Sequence, residues 1–259
     1  GQMYFYLDCL KFVPAPWGLN GFETGVPTNV YEEKDEVKPV INFSFSDPET
    51  HKLTYRVANY FDETVLEETV DIVNTNQYEL NFQEPLPVGH YTVHVSVDDA
   101  KPVEYYFSIV KNYEERDVES NTHFMVDAAG IYLIDSTKIE DYARSMRLAG
   151  ITSARERFRW TTYQTDSETI DMSAFEVYQK AYEENGIHTL ALNESAPSFM
   201  RSESHVFPQD LVEAYKFAKY MTERYGDKVS IEAWNEPDTK DVPADYLAAY
   251  VKAKAIGQQ

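Results

Sequence analysis

The feature that most limits the possible folds is a change of hydrophobic period near residue 115. Before it, apolar residues alternate with polar ones in short runs: KPVINFSF (38–45), KLTYRVANY (52–60), YELNF (78–82), HYTVHVSV (90–97) and VEYYFSIV (103–110). A period of two is the signature of strands buried on one face. Between the runs lie DPET, NTNQ, PLPVG and DDAKP, which carry the residues that tight turns require. About seven such strands in about 110 residues predict an antiparallel, immunoglobulin-like β-sandwich over residues 1–115.

A polar stretch, NYEERDVESNT (112–122), follows, and its residues 116–122 read as a linker. Beyond it strand and helix patterns alternate. HFMVDAAGIYL (123–133) is a strand with its loop. IEDYARSMRLAG (139–150) is a helix with Ile139, Tyr142, Ala143, Met146 and Ala149 on one face, a capping box from Thr137 and Glu140, and a stop at Gly150. ITSARERF (151–158) is the second strand. Ser173 with Glu176 opens a helix that runs to Glu184, Gly186 ends it, and IHTLAL (187–192) is the third strand. A helix over 209–225 presents Leu211, Ala214, Tyr215, Ala218, Met221 and Tyr225. The strand KVSIEAW (228–234) and a helix over 242–257 complete the chain.

Four successive strand–helix units predict a parallel sheet with helices outside. A doubly wound sheet is one solution, but the turns carry neither a G-x-G-x-x-G nor a phosphate loop. A (β/α)8 TIM barrel fits better. Such a barrel needs about 250 residues, so residues 123–259 are expected to be its first four units. The predicted fold is therefore multidomain, a sandwich followed by the first half of a barrel.

Charge narrows the partners. Against 23 Lys and Arg stand 44 Asp and Glu, a formal net charge of −21 spread along the chain. Nucleic acid and anionic membrane surfaces are poor partners for such a protein, and neutral substrates fit better. The single cysteine, Cys9, excludes an intramolecular disulfide and a cysteine-cluster zinc site. The six histidines, at 51, 90, 94, 123, 188 and 205, show no HExxH spacing. His90 and His94 share one face of a strand, which is expected to be sandwich surface. No metal and no cofactor is predicted, and no run of about 18 apolar residues spans a membrane. The chain opens GQMYFY, without an initiator Met. That suits a mature form after signal-peptide removal, so a secreted or periplasmic protein is expected.

Barrel active sites lie at the carboxyl ends of the strands. There, on the fourth strand, stands SIEAWNEPDTKD (230–241). A glutamate at a strand end, flanked by the amide of Asn235 and followed by Pro237, is placed to donate a proton to a glycosidic oxygen. The WNEP of this stretch, the RERFRW after the second strand, and the intervening helix, GI-strand, helix and RYGDKV resemble the retaining glycoside hydrolases of clan A. The β-xylosidase and α-L-iduronidase type is the nearest, and the likeness covers residues 123–259.

The resemblance implies a glycosidase acting on oligo- or polysaccharides by double displacement, with Glu236 as general acid and base and Asn235 bonding the sugar 2-hydroxyl. It makes Arg155 the arginine that keeps the nucleophile ionised, while the charged nucleophile favours the protonated acid. Strand alternation puts Arg155, Arg157 and Arg159 on one side, so a slip of two residues transfers that role to Arg157. Asp127 and Glu194, at other strand ends, are candidates for sugar hydroxyls, and Trp160, Tyr163 and Phe199 for apolar ring platforms. In the clan the nucleophile ends the seventh strand, which lies outside this sequence. The C-terminal half of the barrel is therefore expected from a longer chain, and these 259 residues alone are expected to be inactive. One rival is a non-catalytic carbohydrate-binding protein. Another is a structural sandwich with a degenerate barrel.

Overall fold

The computed structural model describes residues 18–44, 49–115, 124–201, 207–239 and 242–259. The chain forms two compact units, Gly1–Arg116 and Asp117–Gln259. The expected linker at 116–122, together with Cys9, His123 and His205, lies outside the described residues.

The first unit contains eight strands among its described residues: β1 (Leu19–Glu23), β2 (Val30–Glu32), β3 (Val40–Phe43), β4 (Thr50–Asn59), β5 (Thr64–Val73), β6 (Gln77–Glu79), β7 (Gly89–Val97) and β8 (Val103–Val110). They form a three-stranded sheet, β1-β3-β6, and a five-stranded sheet, β2-β8-β7-β4-β5. All pairs are antiparallel except β2 with β8. The alternation read from the sequence is what builds the core. Leu53, Tyr55 and Val57 of β4 and Tyr91, Val93 and Val95 of β7 point inward, where they meet Leu19, Ile41 and Phe43 of the smaller sheet. Each such side chain contributes about 1.5–3 kcal/mol by leaving water. On the outer face of β7, His90 pairs with Ser108 Oγ at 3.0 Å and His94 with Glu104 at 3.4 Å, so both histidines are surface residues as expected. The edge strand β5 exposes Glu67, Glu68 and Asp71, charges that oppose pairing with another edge.

The second unit is built on β9 (Val126–Asp127), β10 (Ser153–Arg159), β11 (His188–Glu194) and β12 (Val229–Glu232), with helices α1 (Gly130–Leu133) and α2 (Ile139–Leu148) after β9, α3 (Trp160–Tyr163) and α4 (Ser173–Glu184) after β10, α5 (Leu211–Tyr225) after β11 and α6 (Ala244–Gly257) after β12. All three strand pairs are parallel, and the sheet order β12-β11-β10-β9 follows the chain. The register sets Arg155 beside Asp127, Arg159 beside Glu194 and Leu192 beside Glu232. One face of the sheet carries Ala154, Glu156, Phe158, Ala191 and Asn193, all buried against helices. The other carries Arg155, Arg157, Arg159, Ser230 and Glu232.

The helix faces largely follow the predicted periods, with Ile139, Ala143 and Met146 of α2 and Ala214, Ala218, Met221 and Tyr225 of α5 buried, but Ala149 lies past the end of α2 and is exposed. Phe217 joins the α5 face, whereas Tyr215 is half-exposed. The helix ends differ in detail from expectation. Thr137 and Glu140 form no capping box, because the Asp135 carboxylate takes the Thr137 N–H at 2.9 Å and its hydroxyl at 2.7 Å. Ser173 is the first helical residue of α4, and its N–H is capped by Asp171 at 2.9 Å. An aspartate two residues upstream does in both places what a hydroxyl was expected to do.

Candidate active site

The carboxyl ends of the four parallel strands carry a group of paired charges. Arg155 lies at its centre. Its Nε and Nη2 donate to the two Glu232 oxygens at 2.5 and 2.7 Å, a bidentate fork across two strand spacings. Nη2 also donates to Asn235 Oδ1 at 3.0 Å, and Nη1 reaches Asp127 Oδ2 at 3.4 Å. Hydrogen bonding to Glu232 holds the Arg155 guanidinium above its usual range. Arg157 donates to the same Asp127 oxygen at 2.5 Å, and Arg159 lies 3.6 Å from Glu194. Alternation along β10 thus delivers three arginines to one face, each met by a carboxylate from a neighbouring strand end.

The WNEP turn leaves this sheet in a fixed way. Trp234 is buried, stacked on Phe207 with ring centroids 4.0 Å apart and set edge-on to Tyr250. Asn235 turns back to Arg155. Glu236 follows with φ +46°, a left-handed conformation that non-glycine residues adopt rarely and at a cost. Its carbonyl accepts from Thr239 N at 3.0 Å and Thr239 Oγ1 at 2.8 Å, which closes the turn. The Glu236 carboxylate is exposed and bonds to none of the described residues.

The structure joins Asp127, Arg155 and Asn235 by hydrogen bonds, sets Glu236 directly after Asn235, and places Glu194 against Arg159 instead. It does not place Trp160 among them. That indole is fully buried, its Nε1 donates to Gln164 Oε1 at 2.7 Å, and its ring stacks on Phe217. Trp160 is a core anchor with no face for a sugar, because β10 ends at Arg159 and the chain turns into α3. Tyr163 is likewise buried, stacked on Phe158, while Phe199 keeps 44% of its surface exposed.

Three residues of the arrangement were not singled out from the sequence. Glu232, the main partner of Arg155, stands two residues before Trp234, and strand alternation was the available signal. Glu156 is wholly buried on the helix side, where its carboxylate accepts from Gly130 N at 2.8 Å, Ile131 N at 3.2 Å and Tyr182 Oη at 2.5 Å. Burial pushes it above the usual carboxylate range even so. Lys254 of α6 is 1% exposed and donates to the Asn193 carbonyl at 2.9 Å, to Asn193 Oδ1 and to the Ala233 carbonyl at 3.1 Å. It ties the ends of β11 and β12 together just before Trp234. Its signal was a lysine inside an otherwise apolar helix face.

No protein family matches the sequence, and no curated protein does. Solved structures do match. A family 39 glycoside hydrolase from the gut symbiont Bacteroides cellulosilyticus WH2 superposes with a TM-score of 0.67 at 19% identity, over 92% of this chain and 48% of its own. The fold is shared with a glycoside hydrolase. A GH5_18 protein from Bifidobacterium longum follows at a TM-score of 0.42 and 14% identity, over 53% of this chain and 42% of its own. The chain spans about half the length of the first of these structures. No helix among the described residues is long and apolar enough to cross a membrane.

Proposed function

We propose that the chain is the N-terminal part of a retaining glycoside hydrolase, in which the first unit is an immunoglobulin-like sandwich and the four parallel strands are the first half of a (β/α)8 barrel. One observation carries the reading. Arg155 holds Asn235 at the mouth of the sheet and leaves the next residue, Glu236, as a free carboxyl projecting from a strained turn. An amide fixed by an arginine, beside an unengaged carboxyl, is an arrangement for binding a sugar hydroxyl while protonating the neighbouring glycosidic oxygen.

In this mechanism the Glu236 carboxyl gives its proton to the departing oxygen as the bond to the anomeric carbon breaks. A second carboxylate, from the part of the barrel beyond Gln259, attacks that carbon from the opposite face. Glu236, now ionised, takes a proton from water as the water displaces the enzyme carboxylate. Asn235 donates to the 2-hydroxyl, where hydrogen bonds strengthen in the transition state. Asp127 and Glu194 bind other hydroxyls from their arginine pairs. No cofactor or metal enters the chemistry. The substrate is a neutral carbohydrate, in keeping with the net charge of −21, and the protein works outside the cytoplasm.

The test is Glu236→Gln in the protein with its complete barrel. Hydrolysis of glycosides with poor leaving groups falls by about 10²–10⁴-fold, and that of activated aryl glycosides falls far less, because an activated leaving group needs no proton. Equal losses on both kinds of substrate sink the assignment. The 259 residues alone are expected to turn over neither kind.

A further inference from the structure

The stacking platform expected at Trp160 is absent from that residue, but the structure offers another at Tyr132. This side chain belongs to α1, the short helix that follows the carboxyl end of β9, and it is 48% exposed. The Arg159 guanidinium lies 5.3 Å from its ring centroid and backs one face. Arg159 in turn is held 3.6 Å from Glu194, whose side chain is 21% exposed. Ring, guanidinium and carboxylate therefore form one group at the mouth of the sheet, on the face that also carries Arg155.

The local structure fixes that ring in place. A helix of four residues has no stability of its own, yet α1 is anchored by a wholly buried carboxylate. Glu156 accepts the N–H groups of Gly130 and Ile131, and Tyr182 Oη bonds the same carboxylate from behind. Ala129 enters the helix with φ +47°, a further local cost. The residues that this anchored helix presents outward are Tyr132 and Leu133. Aromatic rings recognise ligands best when they are held rigid beforehand, since little freedom is then lost on binding.

We propose that Tyr132, backed by Arg159 and flanked by Glu194, is a sugar-stacking subsite for a neutral, β-linked oligosaccharide of pyranoses with equatorial substituents. Such rings have an apolar C–H face for Tyr132 and hydroxyls at their edge for the Glu194 carboxylate. The subsite rests on the glycosidase reading for its relation to Glu236. β9, which Tyr132 follows, and β12 lie three strand spacings apart, roughly 14 Å, so a chain that reaches from Glu236 to Tyr132 covers more than one sugar. The site therefore selects for chain length. Polyanionic glycans are disfavoured by the net charge of −21.

The experiment is a calorimetric titration of the protein with its complete barrel, carrying Glu236→Gln to stop turnover, with cello- and xylo-oligosaccharides of two and of five units. In one of the two series the longer sugar binds tighter than the shorter. Tyr132→Ala removes that advantage, a loss of roughly tenfold in affinity, equivalent to about 1.4 kcal/mol. Tyr132→Phe keeps it, because stacking needs the ring and not the hydroxyl. Leu133→Ala, a neighbouring exposed residue on the same helix, also keeps it. An unchanged length dependence in Tyr132→Ala, or no binding in either series, overturns the subsite. Because titration involves no bond cleavage, these outcomes are separate from the hydrolytic test of Glu236. Tyr132 can fail while the acid–base assignment stands, and the reverse.

Discussion

Replacing Gly130 with alanine tests how tightly α1 is clamped, because two general rules give opposite signs. Helix propensity favours alanine over glycine by about 1 kcal/mol, so a substitution in an open helix would stabilise. At Gly130, however, an added Cβ lies 2.6 Å from Tyr182 Oη, 3.0 Å from Glu156 Oε1 and 3.5 Å from Ile139 Cδ1. Forcing a methyl group into a packed site costs about 1–3 kcal/mol. Displacing either oxygen also strips a buried polar group of a bond, at about 1–3 kcal/mol. Setting the propensity gain against both leaves a net loss of roughly 1–5 kcal/mol. The assay is urea unfolding followed by tryptophan fluorescence, since Trp160 and Trp234 are both buried in this unit. With a slope of about 1–3 kcal/mol per molar urea, a mid-range loss lowers the midpoint by about 1 M or more. Tyr182→Phe removes the nearest of the three atoms, so Gly130→Ala should cost less in that background than in the parent. A midpoint that is unchanged or raised by Gly130→Ala, or strict additivity of the two changes, refutes the clamp.

Lys254 gives a prediction in pH. Burial holds its pKa well below the ordinary lysine value, so between the two values the unfolded chain carries more protons than the folded one. Stability must then rise with pH across that window, which ends near the free-lysine value of about 10.4. The difference in unfolding free energy between the parent and Lys254→Met should accordingly grow in favour of the parent as pH rises from neutrality, and a flat difference refutes the burial. Residues 1–115, expressed alone, should unfold in one cooperative thermal transition with β-type circular dichroism, because their core is built from their own two sheets. An aggregated or molten product would show that this unit depends on the rest of the chain.

How much of this was legible beforehand depends on the kind of interaction. Periods of two and of 3.6 residues separate sheet from helix, and they placed the four parallel strands and the alternating runs that form β4 and β7. The motif at Trp234–Pro237 marked the strand end that carries Glu236, and alternation along RERFR grouped Arg155 with Arg157 and Arg159. Such patterns are local, so a linear reading recovers them. The helix caps were misplaced by two residues because aspartate and hydroxyl residues compete for the same N–H groups, and only the backbone geometry decides between them. Trp160 was misassigned for a related reason. One residue past the end of a strand, alternation no longer says which way a side chain points.

The sequence by itself carries the change of hydrophobic period near residue 115, the alternation that sets three arginines on one face of β10, and the net charge of −21. Tertiary structure alone decided which carboxylate Arg155 holds, that Lys254 ties β11 to β12, and that Glu156 anchors α1 while Trp160 is buried. Residues 77 and 61 positions apart meet in the first two cases. Such contacts depend on strand register and on how each helix lies against the sheet. Register and helix placement are set by the packing of the whole core, which no single stretch of the chain encodes.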